Sequence, residues 1–493
     1  MRKRYILNSL ALSAGLLLTA TGGMQATNGT HLTSHGARAA GMAGATLAVG
    51  DSVMDLQANP AHLANRKKGL FEIGGMIIRP KMVMEDSLYD YSGRENDLSY
   101  DNKVRSEPAV FPVPYIGYSA PLGKNMGWGI AFYGQAGAGA QFNGIKRPLA
   151  FPGQRPTTMN NFLGADLGAA GAGKHITENT FSELSIARLT PGIAIKLGKL
   201  SVGVGLDYSL AMMEWRFTMS DLLGAMELPG AGFRYKSDVA TATGGKIGLT
   251  FEVSKSFTVA YAYQSKSRYH LNGEMSVNAG APYINVVLNP SQSFNLPNIK
   301  NYKTKFVLEE PEEHTVGFAF KTGKLTIGID LGYIKWSNSY RTLDFRFEAP
   351  VFTTPMGNTI DAMSFNMNWE DSRVYAIGFE YKPGKTAFRF GYNYANSPVN
   401  ENSINPLFPA IAEHHINAGI GFDFGKMGLD LAIEYSPPTR VESSMTNDWA
   451  MFHAFYGLPP SGANALDYIK NPFYKQAITS TQLNFAFGLK WKL

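Results

Sequence analysis

The sequence predicts an all-β chain that closes into an antiparallel transmembrane barrel of about 14 strands. Three observations carry this. The chain opens with a secretory signal. Its later segments alternate apolar with small or polar residues at period two. The joins between those segments alternate between tight turns and long excursions.

The N-terminus comes first in the argument. Arg2, Lys3 and Arg4 form a positive start, Leu10 to Ala20 is an apolar run too short to span a bilayer, and small residues follow, with cleavage expected after Ala26. Residues 1–26 are thus read as a signal peptide and the mature chain leaves the cytoplasm. It has no cysteine, which excludes disulfides, thiolate metal sites and a lipid-modified N-terminal Cys. Without the three basic signal residues it carries 42 basic and 39 acidic side chains, scattered along the sequence, so no nucleic-acid partner is expected. No later apolar run is long enough for a membrane helix.

The strands follow. In "LSVGVGLDYSLAM", Val202, Val204, Leu206, Tyr208, Leu210 and Met212 share one face, and Ser201, Gly203, Gly205, Asp207, Ser209 and Ala211 the other. "KLTIGIDLGY", "TAFRFGYNYA", "MGLDLAIEY" and the terminal "TQLNFAFGLKWKL" repeat the pattern, with aromatic residues at strand ends on the apolar face. A soluble sandwich also alternates. The aromatic ends and the turns tilt the reading to a barrel. The tight joins are "SKS", "TGK", "PGK" and "GK", whereas 140–180 and 437–480 are long. Strand starts are expected near 69, 110, 124, 182, 199, 238, 256, 305, 324, 367, 385, 413, 427 and 481, with Pro108, Pro112 and Pro114 disturbing the second.

Three runs in order resemble one family: "GARAAGMAGATLAVGDSVMDLQANPAHLA", "EEPEEHTVGFAFKTGKLTIGIDLGYIKWS" and "DSRVYAIGFEYKPGKTAFRFGYNYANSPV". They are similar to the FadL/TodX outer-membrane transporters of hydrophobic compounds. The resemblance implies a 14-stranded barrel, residues 69–493, whose lumen is plugged by an N-terminal hatch, residues 27–68. It implies ligands such as long-chain fatty acids or aromatic hydrocarbons, caught at outer loops and released sideways through a wall gap made by a kinked strand. The family's hatch carries an Asn-Pro-Ala element, matched by Asn59, Pro60 and Ala61. Locally, Pro60 fixes φ and Asn59 favours a turn, which also suits an ordinary Asn-Pro turn. Glycines Gly127, Gly129 and Gly134 make the third strand a candidate for the kink.

The long segment 144–180 is the expected ligand trap. Leu149, Phe151, Met159, Phe162, Leu163 and Leu167 supply apolar surface, and Arg155, with Lys146 and Arg147, attracts a carboxylate. The same residues equally suit a small loop core. Adjacent His414 and His415 point to opposite faces of a strand and chelate poorly together, so no metal or other cofactor is expected. Asp207, Asp330, Glu380, Arg389, Asp430 and Glu434 face inward and are expected to pair across the lumen. No catalytic residue is assigned. A general porin and an outer-membrane lipid-acting enzyme remain alternatives, though no G-x-S-x-G motif occurs. The expected partners are a hydrophobic small molecule, outer-membrane lipid and lipopolysaccharide, and the barrel-assembly machinery, with the chain a monomer in the bacterial outer membrane.

Overall fold

The computed structural model describes residues 28–88, 100–148, 175–220, 231–278, 300–348, 352–353, 359–402, 404–443 and 474–493. Fourteen of its strands form one closed antiparallel ring: β1 (Leu70–Ile78), β2 (Phe111–Pro121), β3 (Met126–Pro148), β4 (His175–Leu197), β5 (Leu200–Ser220), β6 (Ala240–Glu252), β7 (Phe257–Gln264), β8 (Glu313–Thr322), β9 (Leu325–Ile334), β10 (Ser372–Tyr381), β11 (Thr386–Ala395), β12 (His414–Asp423), β13 (Met427–Ser443) and β14 (Tyr474–Lys492). Each pairs with its successor. The ring closes where β14 returns to β1, with Leu70 opposite Lys492 and Ile77 opposite Phe485. Closure leaves no edge strand, as a sheet in hydrocarbon requires.

Period-two alternation positions every side chain. Leu206 is 61% exposed on the outer face and Phe388 and Phe390 are 51% exposed, while Asp207, Arg389 and Asn393 are buried inside. The lipid-facing set of β5 and β11 is therefore the one the alternation selects. Exposed aromatics such as Trp128, Phe251 and Tyr381 lie near the tight turns, where an interfacial girdle belongs.

Most strand starts fall within a few residues of the sequence expectation. The eighth does not. The wall strand begins at Glu313, whereas Lys300–Lys305 and Val307–Glu310 are separate strands that pair with Gly273–Asn278 and Ser267–His270. Alternation runs on through these pieces, so the period alone did not mark where the wall ends. β4 starts seven residues and β14 seven residues earlier than expected for a related reason. They rise well past the roughly 9–11 residues a bilayer needs: β4 stays paired there with β3 and β5, and β14 pairs with the rim strand Pro80–Leu88.

Two layers fill the lumen. The lower is the N-terminal segment 28–68, with two short helices, α1 (Ala37–Gly41) and α2 (Asp55–Ala58), and a 3-10 turn at Pro60–Asn65. α1 stays short because glycines flank it: Gly36 and Gly44 hold positive φ of 91° and 83°, a region open to Gly at little cost, and α2 ends where extended Asn59 precedes Pro60. The upper layer is aromatic and comes from the rim strands and inter-strand segments.

Candidate functional site

The N-terminal segment meets the wall at its glycines. Gly203 of β5 and Gly248 of β6 are register partners. A Cβ on Gly203 would strike the Pro60–Ala61 backbone, and one on Gly248 would strike Asn59 and Pro60. The Asn59 amide is used on both sides. Its Nδ2 donates to the Leu47 and Leu249 carbonyls at 3.1 Å each, and its Oδ1 accepts the Ala61 N–H at 3.0 Å. Asn59 thus caps the 3-10 turn, with Pro60 at its first position, and ties the segment to β6. The same logic recurs around the barrel. Leu63 rests on Gly127 and Gly129 of β3, Ala45 on Gly328 of β9, and Met42 and Ala43 on Gly378 and Gly391 of β10 and β11.

Charged side chains join segment and wall. Arg38 of α1 holds both oxygens of Glu380, at 2.8 and 2.9 Å. Glu380 accepts from Arg389 at 2.6 Å, Arg389 donates to Asp430 at 2.7 Å, and Asp430 accepts from Lys490 at 2.9 Å. This ladder crosses β10, β11, β13 and β14. Long side chains reach along it because Gly421 and Gly428 stand between them. A second cluster joins Arg188, Glu310, Asp207 and Lys246, with Arg188–Glu310 at 2.5 Å. Pairing therefore explains Asp207, Glu380, Arg389 and Asp430. Asp330 is a correction: instead of a cation it takes the backbone N–H of Leu47 at 2.9 Å, because the segment brings a peptide group where a cross-lumen partner was expected. Glu434 also binds mainly neutral donors: Thr33 at 2.6 Å, Asn484 at 2.8 Å and Asn417 at 3.1 Å.

Two histidines of the segment hold opposite charge states. His31 lies 3.1 Å from Glu310 and 2.7 Å from Glu313. Burial opposes its charge, but the Glu313 charge and hydrogen bonds to both carboxylates prevail and raise its pKa to about 9. In His35, burial, reinforced by the charges of Lys246 and Arg188, lowers it to about 3. Neutral His35 donates from Nε2 to the Gly134 carbonyl at 3.0 Å. The signs follow from linkage. The His31 contribution is complete below its ordinary 6.5 and fades as pH rises through about 9. His35 gains a proton more readily when undocked, so its contribution fades as pH falls from 6.5 towards about 3. Amide exchange in 28–45, corrected for intrinsic rate, is expected to be slowest near pH 6.5, and His31→Asn should flatten the alkaline limb. Equal protection from pH 5 to pH 9, with or without His31, would contradict this.

The wall is interrupted between β2 and β3. Their pairing runs from Pro121–Gly127 up to Tyr115–Tyr133 and stops. β3 then bulges at Gln135 and turns its backbone to the N-terminal segment. The Gly137 N–H donates to the Thr30 carbonyl at 3.0 Å, and Ala136 bridges to His31. Residues 111–114 of β2 stay paired with β1, while Pro112 and Pro114 offer no N–H. Contact with β3 resumes at Gln141, which accepts from Glu107 N at 2.9 Å. Among the described residues, "GQAGAGA", Gly134–Ala140, therefore has no ladder towards β2. Of the three glycines expected to mark a kink, Gly134 starts the break, whereas Gly127 and Gly129 lie below it and seat Leu63.

Above the segment lies the aromatic layer. Trp215 packs against Phe345 and Phe365 at 5.4 and 5.3 Å between ring centres, and Phe345 stacks on Phe306 at 4.2 Å. Trp336, Tyr340 and Trp369 form a second group, and Trp336 reaches His31 at 4.8 Å. The stretch between β11 and β12 folds inward and buries Val399, Leu407, Phe408 and Ile411. Ser182 donates to the Leu407 carbonyl. Between the segment and the barrel wall is a cavity of about 150 Å3, lined by Leu47, Gln135, Lys246, Glu313, Asn393 and Ile334 among others.

The sequence-chosen Leu149, Phe151, Arg155, Met159, Phe162, Leu163 and Leu167 lie outside the described residues. The residues that do build the apolar interior were missed. Their only signal was alternation continuing beyond a membrane's width, as in Leu343, Phe345 and Phe347. His414 and His415 do face opposite ways: His414 meets Tyr392 Oη at 2.6 Å, and His415 is buried.

Residues 160–457 match the family described as outer membrane protein transport protein (OMPP1/FadL/TodX). A long-chain fatty acid transport protein of Salmonella typhi is 22% identical over 415 residues, covering 79% of this chain and 82% of its own. The Pseudomonas putida toluene transporter TodX superposes with a TM-score of 0.62 at 16% identity, over 94% of this chain and 99% of its own. A Pseudomonas aeruginosa FadL homologue gives a TM-score of 0.62 at 15% identity over the same shares.

Proposed function

The chain belongs to the OMPP1/FadL/TodX family of outer-membrane transport proteins, and from that premise we propose that it admits long-chain fatty acids or related apolar compounds through a hatch-plugged barrel and catalyses no reaction. The observation that carries the reading is the filling of the lumen: an aromatic interior above, and below it a buried N-terminal segment at the level of the wall break, with a cavity of mixed polar and apolar lining between segment and wall. An apolar molecule gains by entering the aromatic layer. Below it, among the described residues, buried carboxylates, guanidinium groups and tightly seated backbone leave no apolar way straight down. The break beside Gly134–Ala140 offers a lateral way to lipid, provided Thr30 and His31 leave their places on β3. The cavity is smaller than the roughly 300 Å3 or more that a ligand pocket needs, so passage requires the segment to move. A ligand shifts that equilibrium only by its differential affinity for the two arrangements. An open porin does not fit a lumen so filled.

In this scheme Asn59, Pro60 and Ala61 hold the resting hatch, and capture uses outer residues. Asn59→Ala loses both bridges to Leu47 and Leu249 and its cap on Ala61. It is expected to change uptake of labelled oleate or toluene by cells at least about threefold, normalised to barrel abundance, while shifting barrel stability by only ~1 kcal/mol. Wild-type uptake by Asn59→Ala and Pro60→Ala would leave the tripeptide as a structural turn.

A further inference from the structure

The basic residues that lie scattered in the sequence are collected by the fold. Every tight join of the ring carries a lysine: Lys124 after β2, Lys199 after β4, Lys255 after β6, Lys324 after β8, Lys385 after β10 and Lys426 after β12. All six are exposed, and none ion-pairs with a described residue. The same end of the barrel adds Lys67, Lys68, Lys196, Lys321, Lys382 and Lys492. Against these twelve stand Glu252 and Asp423 on the wall, held by Lys196 at 2.5 Å and Lys492 at 3.0 Å, the inward Glu380, level with Lys321 and held by Arg38 and Arg389, and exposed Asp51 on the N-terminal segment. The tight-turn end of such a barrel faces the periplasm. A basic excess therefore circles the periplasmic rim, while the rest of the mature chain is acidic on balance.

We propose that this ring is a binding surface for anionic phospholipid headgroups of the periplasmic leaflet. Its shape selects the partner. A soluble acidic protein would need a patch on one side or across the mouth, whereas these lysines follow the whole circumference, as the first shell of lipid does. They also border the lipid-facing band directly, next to exposed Leu197, Phe251, Tyr381, Phe388, Phe424 and Met427. A lysine rooted in that band lays its stem on apolar surface and lifts its ammonium to phosphate depth. Each cation near an anionic surface is worth about 1 kcal/mol, and unpaired ones keep that in full. The role would be to order the lipid next to the wall on the periplasmic side, independently of what the lumen carries.

The test is lipid selectivity of the full-length barrel in vesicles of phosphatidylethanolamine containing spin-labelled phosphatidylglycerol or spin-labelled phosphatidylethanolamine. Wild type is expected to enrich phosphatidylglycerol at the protein boundary about fivefold, the equivalent of ~1 kcal/mol, with enrichment falling as salt rises. Changing Lys124, Lys199, Lys255, Lys324, Lys385 and Lys426 to Gln should bring the ratio close to one. A variant with only Lys255, Lys324 and Lys385 changed to Gln should lose about half of the effect, and serves if the sixfold variant assembles poorly. No phosphatidylglycerol preference in wild type, or the same preference in both variants, overturns the proposal. The first result would instead favour a soluble acidic partner.

Discussion

Deleting residues 28–66 is expected to turn a closed barrel into a conducting one, raising single-channel conductance by about tenfold or more. The ring itself owes nothing to the segment. Its fourteen strands are hydrogen-bonded to each other round a full circle, through β14 and β1. The buried groups the segment now satisfies, such as Asp330 and Glu380, would meet water entering the lumen and so escape the cost of an unpaired charge in a dry interior. The apolar outer face would be unchanged, so the truncated chain should still insert and keep its heat-modifiable mobility. Among the described residues, the aromatic layer remains in the lumen. Conductance unchanged from wild type, in a correctly assembled barrel, would mean that the N-terminal segment is not what closes it.

Arg389→Met is expected to cost about 3–5 kcal/mol, the range for breaking a buried ion pair from one side. Arg389 stands mid-ladder, 2.6 Å from Glu380 and 2.7 Å from Asp430. Its loss leaves two carboxylates to single partners, Arg38 on one side and Lys490 on the other. Arg389→Lys should recover only part of the loss, since an ammonium is a point charge and cannot fork to two acceptors in fixed geometry. Reversible urea unfolding in vesicles gives the comparison. A methionine variant within about 0.5 kcal/mol of wild type would show that lumenal water already screens the ladder.

The wall was legible in the sequence because hydrocarbon imposes one rule on every strand, and the rule has period two. Gly203 and Asp207 against Leu206, or Arg389 against Phe388 and Phe390, could be assigned without knowing any contact. The inward positions were read only as small or polar. That glycine there marks backbone docking, as at Gly203 and Gly248 under Asn59 and Pro60, depends on a segment far earlier in the chain. The aromatic layer was missed for the same reason: Trp215, Phe306, Phe345 and Phe365 come from four separate stretches and share no local period. The lysine ring is a further case. Its members are far apart in sequence and look scattered, and only the return of each hairpin to the same rim makes them neighbours.

The seating of the N-terminal segment also bears on the order of assembly. Its anchors are drawn from both ends of the chain. Asn417 donates to the Ala40 carbonyl across 377 residues, and Thr33 donates to Glu434 across 401. Glu72, on the first strand, receives Ser52 and Val53. The segment precedes every strand, yet its last bonds wait for the last strands to arrive. Contacts of such separation are slow to form. Full docking therefore waits for the last strands, whereas closure, made of strand-to-strand bonds alone, does not wait for the segment.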